Sequence, residues 1–249
     1  KENEHIATKD GTVEGLESFS SMGYGIRILK DGSWGFAASN DFSKMGIEKT
    51  VKLAIKIAES SRLDKFYDVE LALQKPVKAK YKSQFKIDPF SVSLDEKIKL
   101  LLAADKAQRV SPMIKISQTN FHAHKEKKAF VSSKGAEIEQ EIIWTGAGLE
   151  ASAIEGGDFQ NRSYPSSFSG QNMTKGYELL TELDLTGNAS RVGEEAVALL
   201  SAPLCPSGEY DLILDSNQLA LQIHESCGHA VELDRVLGYE ASYAGTSFL

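Results

Sequence analysis

Along the chain, apolar and polar positions alternate with two distinct periods, and the change of period marks the elements. From Gly23 to Ala38, two runs of strand character flank Lys30-Asp31-Gly32, and Asp-Gly is a favoured tight-turn pair, so this stretch is predicted to be a β-hairpin. Beyond it Val51, Leu53, Ala54, Ile57 and Ala58 recur at helical spacing to about Ser60, which predicts an amphipathic helix covering a sheet face. The segment from Asp64 to Pro89 is polar, interrupted by Pro76, and weakly periodic; it reads as a connector. A second helix follows, with Ser93 at its N-cap, Glu96 three residues on as a capping-box partner, and Ile98, Leu101, Leu102 and Ala104 to Ala107 forming its apolar face.

From Met113 to Ile154 alternation returns, with turn signals at Lys125 to Lys128 and Ser132 to Gly135, so three or four antiparallel strands are expected. Gly156-Gly157-Asp158 and Arg162 to Asn172 read as loop, a candidate surface lid or inter-domain segment. Two more helices are predicted, Lys175 to Leu183 and Asn188 to Leu200, with Glu194 and Glu195 on a solvated stripe of the second. After the turn-rich break at Pro203 to Gly208, Glu209 to Asp215 reads as a strand. A helix capped by Ser216 or Asn217 then carries Leu219, Ala220, Leu221 and Ile223.

Strand pairs interleaved with covering helices imply an α+β class: antiparallel sheets covered by helices, followed by the start of a second, metal-binding domain. The expected organisation is an N-terminal α+β region over residues 1–202, with subdomains at 1–75 and 90–202. Residues 203–249 then begin a C-terminal domain. A chain of 249 residues with 41% hydrophobic and 25% charged residues can bury a core. The net charge of -7 and pI near 5.4 argue against nucleic acid as a partner, which needs a basic surface. Lys125-Glu126-Lys127-Lys128 reads as a solvated hairpin tip. Two cysteines, Cys205 and Cys227, without disulfide-scaffold spacing, point to a reducing, cytoplasmic compartment. No apolar run approaches the roughly 18 residues of a membrane span.

Two histidine groups are candidate metal ligands. His122 and His124 alternate in period two and so share a strand face, but no acidic or cysteine partner lies near them in sequence, which favours a structural role. The second group is His224-Glu225-Ser226-Cys227-Gly228-His229. Two imidazoles with an adjacent carboxylate suit zinc, which binds neutral imidazole and keeps one position open for water, with Glu225 as general base. The spacing imposes a condition. At about 100° per residue, histidines five apart on a regular helix diverge by about 140°, so His224 and His229 can share a metal only if the helix widens by a π-type turn or ends near Gly228, whose missing side chain makes distortion cheap. The competing reading is a buried helix whose histidines merely satisfy hydrogen bonds.

Three runs, Gly208 to Asp215, His224 to Val236 and Tyr243 to Ser247, resemble the TldD branch of the TldD/PmbA peptidase family. The resemblance implies a zinc metallopeptidase of the HExxxH type, with His224 and His229 as metal ligands, Glu225 activating water at the metal, residues 203–249 as the truncated start of its metallopeptidase domain, and a cysteine from a C-terminal half as third ligand. Neither Cys205 nor Cys227 matches that cysteine's position, so weak or absent zinc and an inactive chain are expected for these 249 residues alone. The resemblance further implies unfolded or short peptides as substrates, admitted to a closed channel between subunits. A PmbA-like partner in a heterodimer, or a second copy in a homodimer, would complete the assembly. The alternatives are a non-catalytic binding or scaffold subunit with an incomplete metal site, and a metal-dependent hydrolase acting on something other than peptides.

Overall fold

The computed structural model describes every residue except 65–66, 74, 168 and 241–244. Among the described residues its main sheet has seven strands in the order β2 (Thr12–Ser20), β1 (Glu2–Lys9), β6 (Ile114–Val131), β7 (Glu137–Glu155), β5 (Lys78–Lys82), with β8 (Asp158–Tyr164) and β9 (Gln171–Met173) also pairing to β7. Strands β1 (Glu2–Lys9) and β2 (Thr12–Ser20) form a hairpin turned by Asp10 and Gly11, both at positive φ. This hairpin escapes the periodicity argument because two of the three inward positions of β1 are polar: Glu4, Ile6 and Thr8 are the buried ones. Each polar residue has a partner in the interior. Glu4 forms an ion pair with the fully buried Lys97, and the Thr8 hydroxyl donates to Asp105 Oδ2 at 3.0 Å.

The predicted hairpin is present as β3 (Tyr24–Lys30) and β4 (Ser33–Ser39), a separate two-stranded sheet. Asp31 and Gly32 both take positive φ, 48° and 68°, as a type I′ turn requires. The helix over it, α1 (Lys44–Ser61), starts earlier than its apolar period suggests, because Ser43 caps it by accepting from the Gly46 amide at 3.0 Å. Small residues set the contact: an added Cβ at Gly35 would fall 2.0 Å from the Ala54 carbonyl oxygen.

The polar connector contains a strand that the pattern does not show. β5 (Lys78–Lys82) pairs parallel to β7. Every one of its residues is exposed, and its register is marked by charge: Lys78, Lys80 and Lys82 face Glu137, Glu139 and Glu141 at 3.3, 2.9 and 3.1 Å. Residues 65–66 and 74 of that connector lie outside the described residues. The next helix, α2 (Leu94–Ala107), is capped by Ser93, whose hydroxyl accepts from the Glu96 amide at 3.2 Å.

Where three or four strands are expected there are two long ones, β6 (Ile114–Val131) and β7 (Glu137–Glu155). The turn at Ser132 to Gly135 is present, but Lys125 to Lys128 is not a hairpin tip. It lies inside β6, paired with Ile143 to Gln140. The charges there are met by neighbours, Lys125 by Asp88 at 2.8 Å and Lys127 by Glu141 at 3.7 Å. The expected loop around Gly156 to Asn172 is partly strand: Gly156 and Gly157 turn β7 into β8 (Asp158–Tyr164), and β9 (Gln171–Met173) adds to β7. Residue 168 lies outside the described residues.

Helices α3 (Glu178–Leu183) and α4 (Leu185–Leu199) meet at Asp184, whose carboxylate caps α4 by accepting from the Gly187 amide at 3.1 Å. With α2 they cover one face of the main sheet over Ile6, Leu101, Phe121, Leu149, Leu180, Leu185 and Val192. Burying these apolar faces is the main stabilising term of the fold.

From residue 203 onward the structure changes character. Glu209 to Asp215 is not a strand; it has no regular secondary structure, pairs with no strand among the described residues and is exposed throughout, with Ile213 fully open to solvent. Its alternation has strand character, but a strand needs a neighbour for its backbone N–H and C=O groups, and none of the described residues supplies one. Helix α5 (Ser216–Ile223) follows, then a single π-helical turn (His224–Gly228), a 3₁₀ turn (His229–Val231) and α6 (Leu233–Val236).

Candidate metal centre

The site is built on the helix that begins at Ser216, and its cap is Asp215 rather than Ser216 or Asn217. The Asp215 carboxylate accepts from the amides of Asn217 and Gln218, both at 3.1 Å. Winding is regular as far as Ile223. It then widens: the His229 amide donates to the His224 carbonyl, five residues back, and the ring between them is one π turn. That extra residue per turn cancels the divergence a regular helix would impose. The two imidazole centroids stand 4.4 Å apart with ring planes 55° from each other.

Gly228 is not where the distortion is relieved. Its backbone is ordinary right-handed helix, at φ -57° and ψ -57°. A Cβ there would stand 3.6 Å from His224 Cδ2, an ordinary contact.

His224, Glu225 and His229 each present a donor atom within 4.8 Å of the others. His224 Nδ1 lies 3.1 Å from Glu225 Oε1, and His229 Nδ1 lies 3.0 Å from Glu232 Oε1. With both Nδ1 atoms beside carboxylates, the Nε2 atoms are the ones left to ligate an ion. A soft-to-borderline divalent ion such as zinc accepts such imidazole donors, so the donor set fits. The residues are open to solvent, His224 and Glu225 at 60% and His229 at 35% side-chain exposure, so the histidines are not held as buried hydrogen-bonding groups. The place of Glu232 beside His229 is not evident from the sequence. Its signal is a three-residue separation from His229 that matters only once the chain tightens into a 3₁₀ turn. Neither Cys205 nor Cys227 joins the cluster among the described residues, and both thiols are free.

The other histidine group is arranged differently. His122 on β6 stacks on His5 of β1, with centroids 4.2 Å apart and planes 5° from parallel. His124 stacks on Trp144 at 5.0 Å, and its Nδ1 lies 2.6 Å from Asn3 Oδ1. Burial, and secondarily the neighbouring His5, hold the His122 pKa below its usual value. Each ring packs against its own cross-strand neighbour, the arrangement of a structural pair.

Comparison with known proteins bears on both halves of the molecule. Residues 1–58 match the model of PmbA/TldA metallopeptidase domain 1, and residues 87–202 match that of the PmbA/TldA metallopeptidase central domain. The chain belongs to the PmbA/TldD family. A metalloprotease of Methanothermobacter thermautotrophicus is 32% identical over 232 residues, 93% of this chain and 48% of that one. A metalloprotease of Methanocaldococcus jannaschii is 31% identical over 236 residues, 95% of this chain and 51% of that one. The chain thus spans about half the length of the curated relatives it matches. Among solved structures, a proposed modulator of DNA gyrase from Bacteroides thetaiotaomicron superposes with a TM-score of 0.68 at 17% identity, over 92% of this chain and 52% of that one. TldE from Thermococcus kodakarensis does so with a TM-score of 0.56 at 16% identity, over 79% and 42%. These show a shared α+β fold. The third run of the resemblance, Tyr243 to Ser247, has its first two residues outside the described residues.

Proposed function

We propose that this chain is the motif-bearing part of a zinc-dependent peptidase that hydrolyses unfolded or short peptides. The observation that carries the reading is the π turn, which brings two histidines five residues apart to one side of the helix beside a carboxylate. The metalloprotease relatives support it. His224 and His229 would hold the ion through their Nε2 atoms. When bound, the ion supplies a Lewis acid that polarises the scissile carbonyl and makes water acidic. Glu225, exposed and one residue along from a ligand, takes the proton from the attacking water at a carboxylate oxygen and returns it to the departing amine nitrogen. In the structure the same carboxylate lies 3.1 Å from His224 Nδ1, and its exposure leaves it free to turn.

Residues 203–249 would then begin a metallopeptidase domain that follows the α+β region at 1–202. A third protein ligand and a partner subunit, PmbA-like or a second copy, complete the proposal. Two free cysteines support a cytoplasmic setting, and among the described residues no helix is long and apolar enough to cross a membrane. The second reading, a non-catalytic binding or scaffold subunit, draws on the cluster's having, among the described residues, neither cysteine as a member.

Substitution separates the two readings. In the full chain with its partner, Glu225→Gln is expected to lower peptide cleavage by about 10²- to 10⁴-fold, the usual contribution of a general base, while zinc stays bound. Cleavage that survives the substitution would assign the base elsewhere. Absence of both zinc and cleavage in the unsubstituted protein would favour the scaffold reading.

A further inference from the structure

Resting on the metal-ligand reading of His229, we infer that Glu232 is a positioning residue for that histidine, fixing its proton on Nδ1 and aiming its Nε2 at the ion. The argument follows from the change of helical winding. A π turn closes at His229, and the next three residues, His229–Val231, form a 3₁₀ turn. In a 3₁₀ turn with three residues per turn, positions i and i+3 eclipse, so the residue directly over His229 is Glu232. Two contacts join this pair. The Glu232 amide donates to the His229 carbonyl at 3.4 Å, and Glu232 Oε1 lies 3.0 Å from His229 Nδ1.

Glu232 also stands at the N-cap of α6, with an extended backbone at φ -60° and ψ 132°. The usual use of an acidic side chain there is to accept from amides of the first helical turn. Glu232 makes no such bond; its carboxylate is turned back to the imidazole. A carboxylate on Nδ1 selects the tautomer with Nδ1 protonated and Nε2 bearing the lone pair, and it makes that nitrogen a better donor. His224 is supported by a different kind of partner. Its Nδ1 is met by Glu225, which the mechanism needs for proton transfer, so the two histidines are supported unequally. The carboxylate of Glu232 also lies within 4.8 Å of those of Asp234 and Glu240. That acidic group offers a rival explanation, with the ion held by carboxylates.

The test is zinc affinity, measured by competition with a chromophoric chelator on the full chain, together with the ¹⁵N shifts of the His229 ring in metal-free protein. Glu232→Ala is expected to weaken zinc about 10- to 100-fold and to remove the preference for the Nδ1-protonated tautomer. Glu232→Gln, which keeps an acceptor oxygen, should recover much of both, a rescue that a merely packing role would not give. Glu240→Gln should leave zinc affinity unchanged. Glu232→Ala with unchanged affinity and tautomer overturns the inference, and an equal loss from Glu240→Gln assigns the ion to the carboxylates and overturns it too. If His229→Ala itself leaves zinc in place, the ligand reading fails first, and the two failures are told apart.

Discussion

An added Cβ at Gly228 would meet the His224 ring at 3.6 Å, and the backbone there is ordinary helix, so the glycine is not required for the π turn. Gly228→Ala is therefore expected to keep zinc binding and to raise stability by up to about 1 kcal/mol, the propensity difference between glycine and alanine in a helix. Loss of zinc on this substitution, by metal analysis of the purified variant, would return the glycine to the role that spacing alone suggests. At the same scale, Glu178 shows how a carboxylate can anchor a loop. Its oxygens accept from the amides of Lys86, Ile87 and Gly176, each at 3.0 Å. Burial pulls its pKa upward, but those backbone bonds prevail and hold it below the usual glutamate range. Because the native value is the lower one, the stabilisation is fully present above the unfolded pKa of about 4.3 and is lost as pH falls through the native value. Glu178→Gln, which leaves part of that amide cluster without an acceptor, is expected to cost about 1–3 kcal/mol at neutral pH and to flatten this acid limb in a urea titration. An unchanged acid limb would contradict the assignment.

Among the elements, α1 packs tightly against β4: an alanine at Gly35 would put its Cβ 2.0 Å from the Ala54 carbonyl oxygen and 2.6 Å from the Ala58 amide nitrogen. Both obstacles are backbone and cannot rotate away, so Gly35→Ala should destabilise by at least the 1–3 kcal/mol typical of overpacking, lowering Tm by several degrees in calorimetry. An unshifted Tm would mean that the helix rides further from the sheet than the structure has it. The elements legible in sequence share a feature with this one: their burial is carried by apolar residues at a clean period, as in α1, α2, the β3–β4 hairpin and the pair α3 and α4. The elements that were missed use other means. β1 buries Glu4 and Thr8 through an ion pair and a hydroxyl network, and β5 joins β7 by backbone pairing, with exposed lysines set against glutamates rather than an apolar face to mark it. The charged run at Lys125 to Lys128 reads as a turn because no local rule tells a solvated tip from a strand whose partners lie elsewhere in the chain. Glu209 to Asp215 errs the other way, with strand character but no neighbour among the described residues.

For the molecule as a whole, the contrast is between a core assembled from residues spread over positions 6 to 196 and a final segment whose described residues are almost all exposed. The candidate site lies in that second part, and its spacing was legible for a simple reason: two histidines five residues apart can share an ion only through a widened turn, and His224–Gly228 is a π turn. Glu232 was not legible, because its place over His229 depends on the winding that follows. The central claim is that His224 and His229 share one metal. X-ray absorption at the zinc edge of the full chain counts imidazoles bound to the ion, and the account predicts two per zinc, falling to one in His229→Ala. Zinc bound with one imidazole or none in the unsubstituted protein would contradict it.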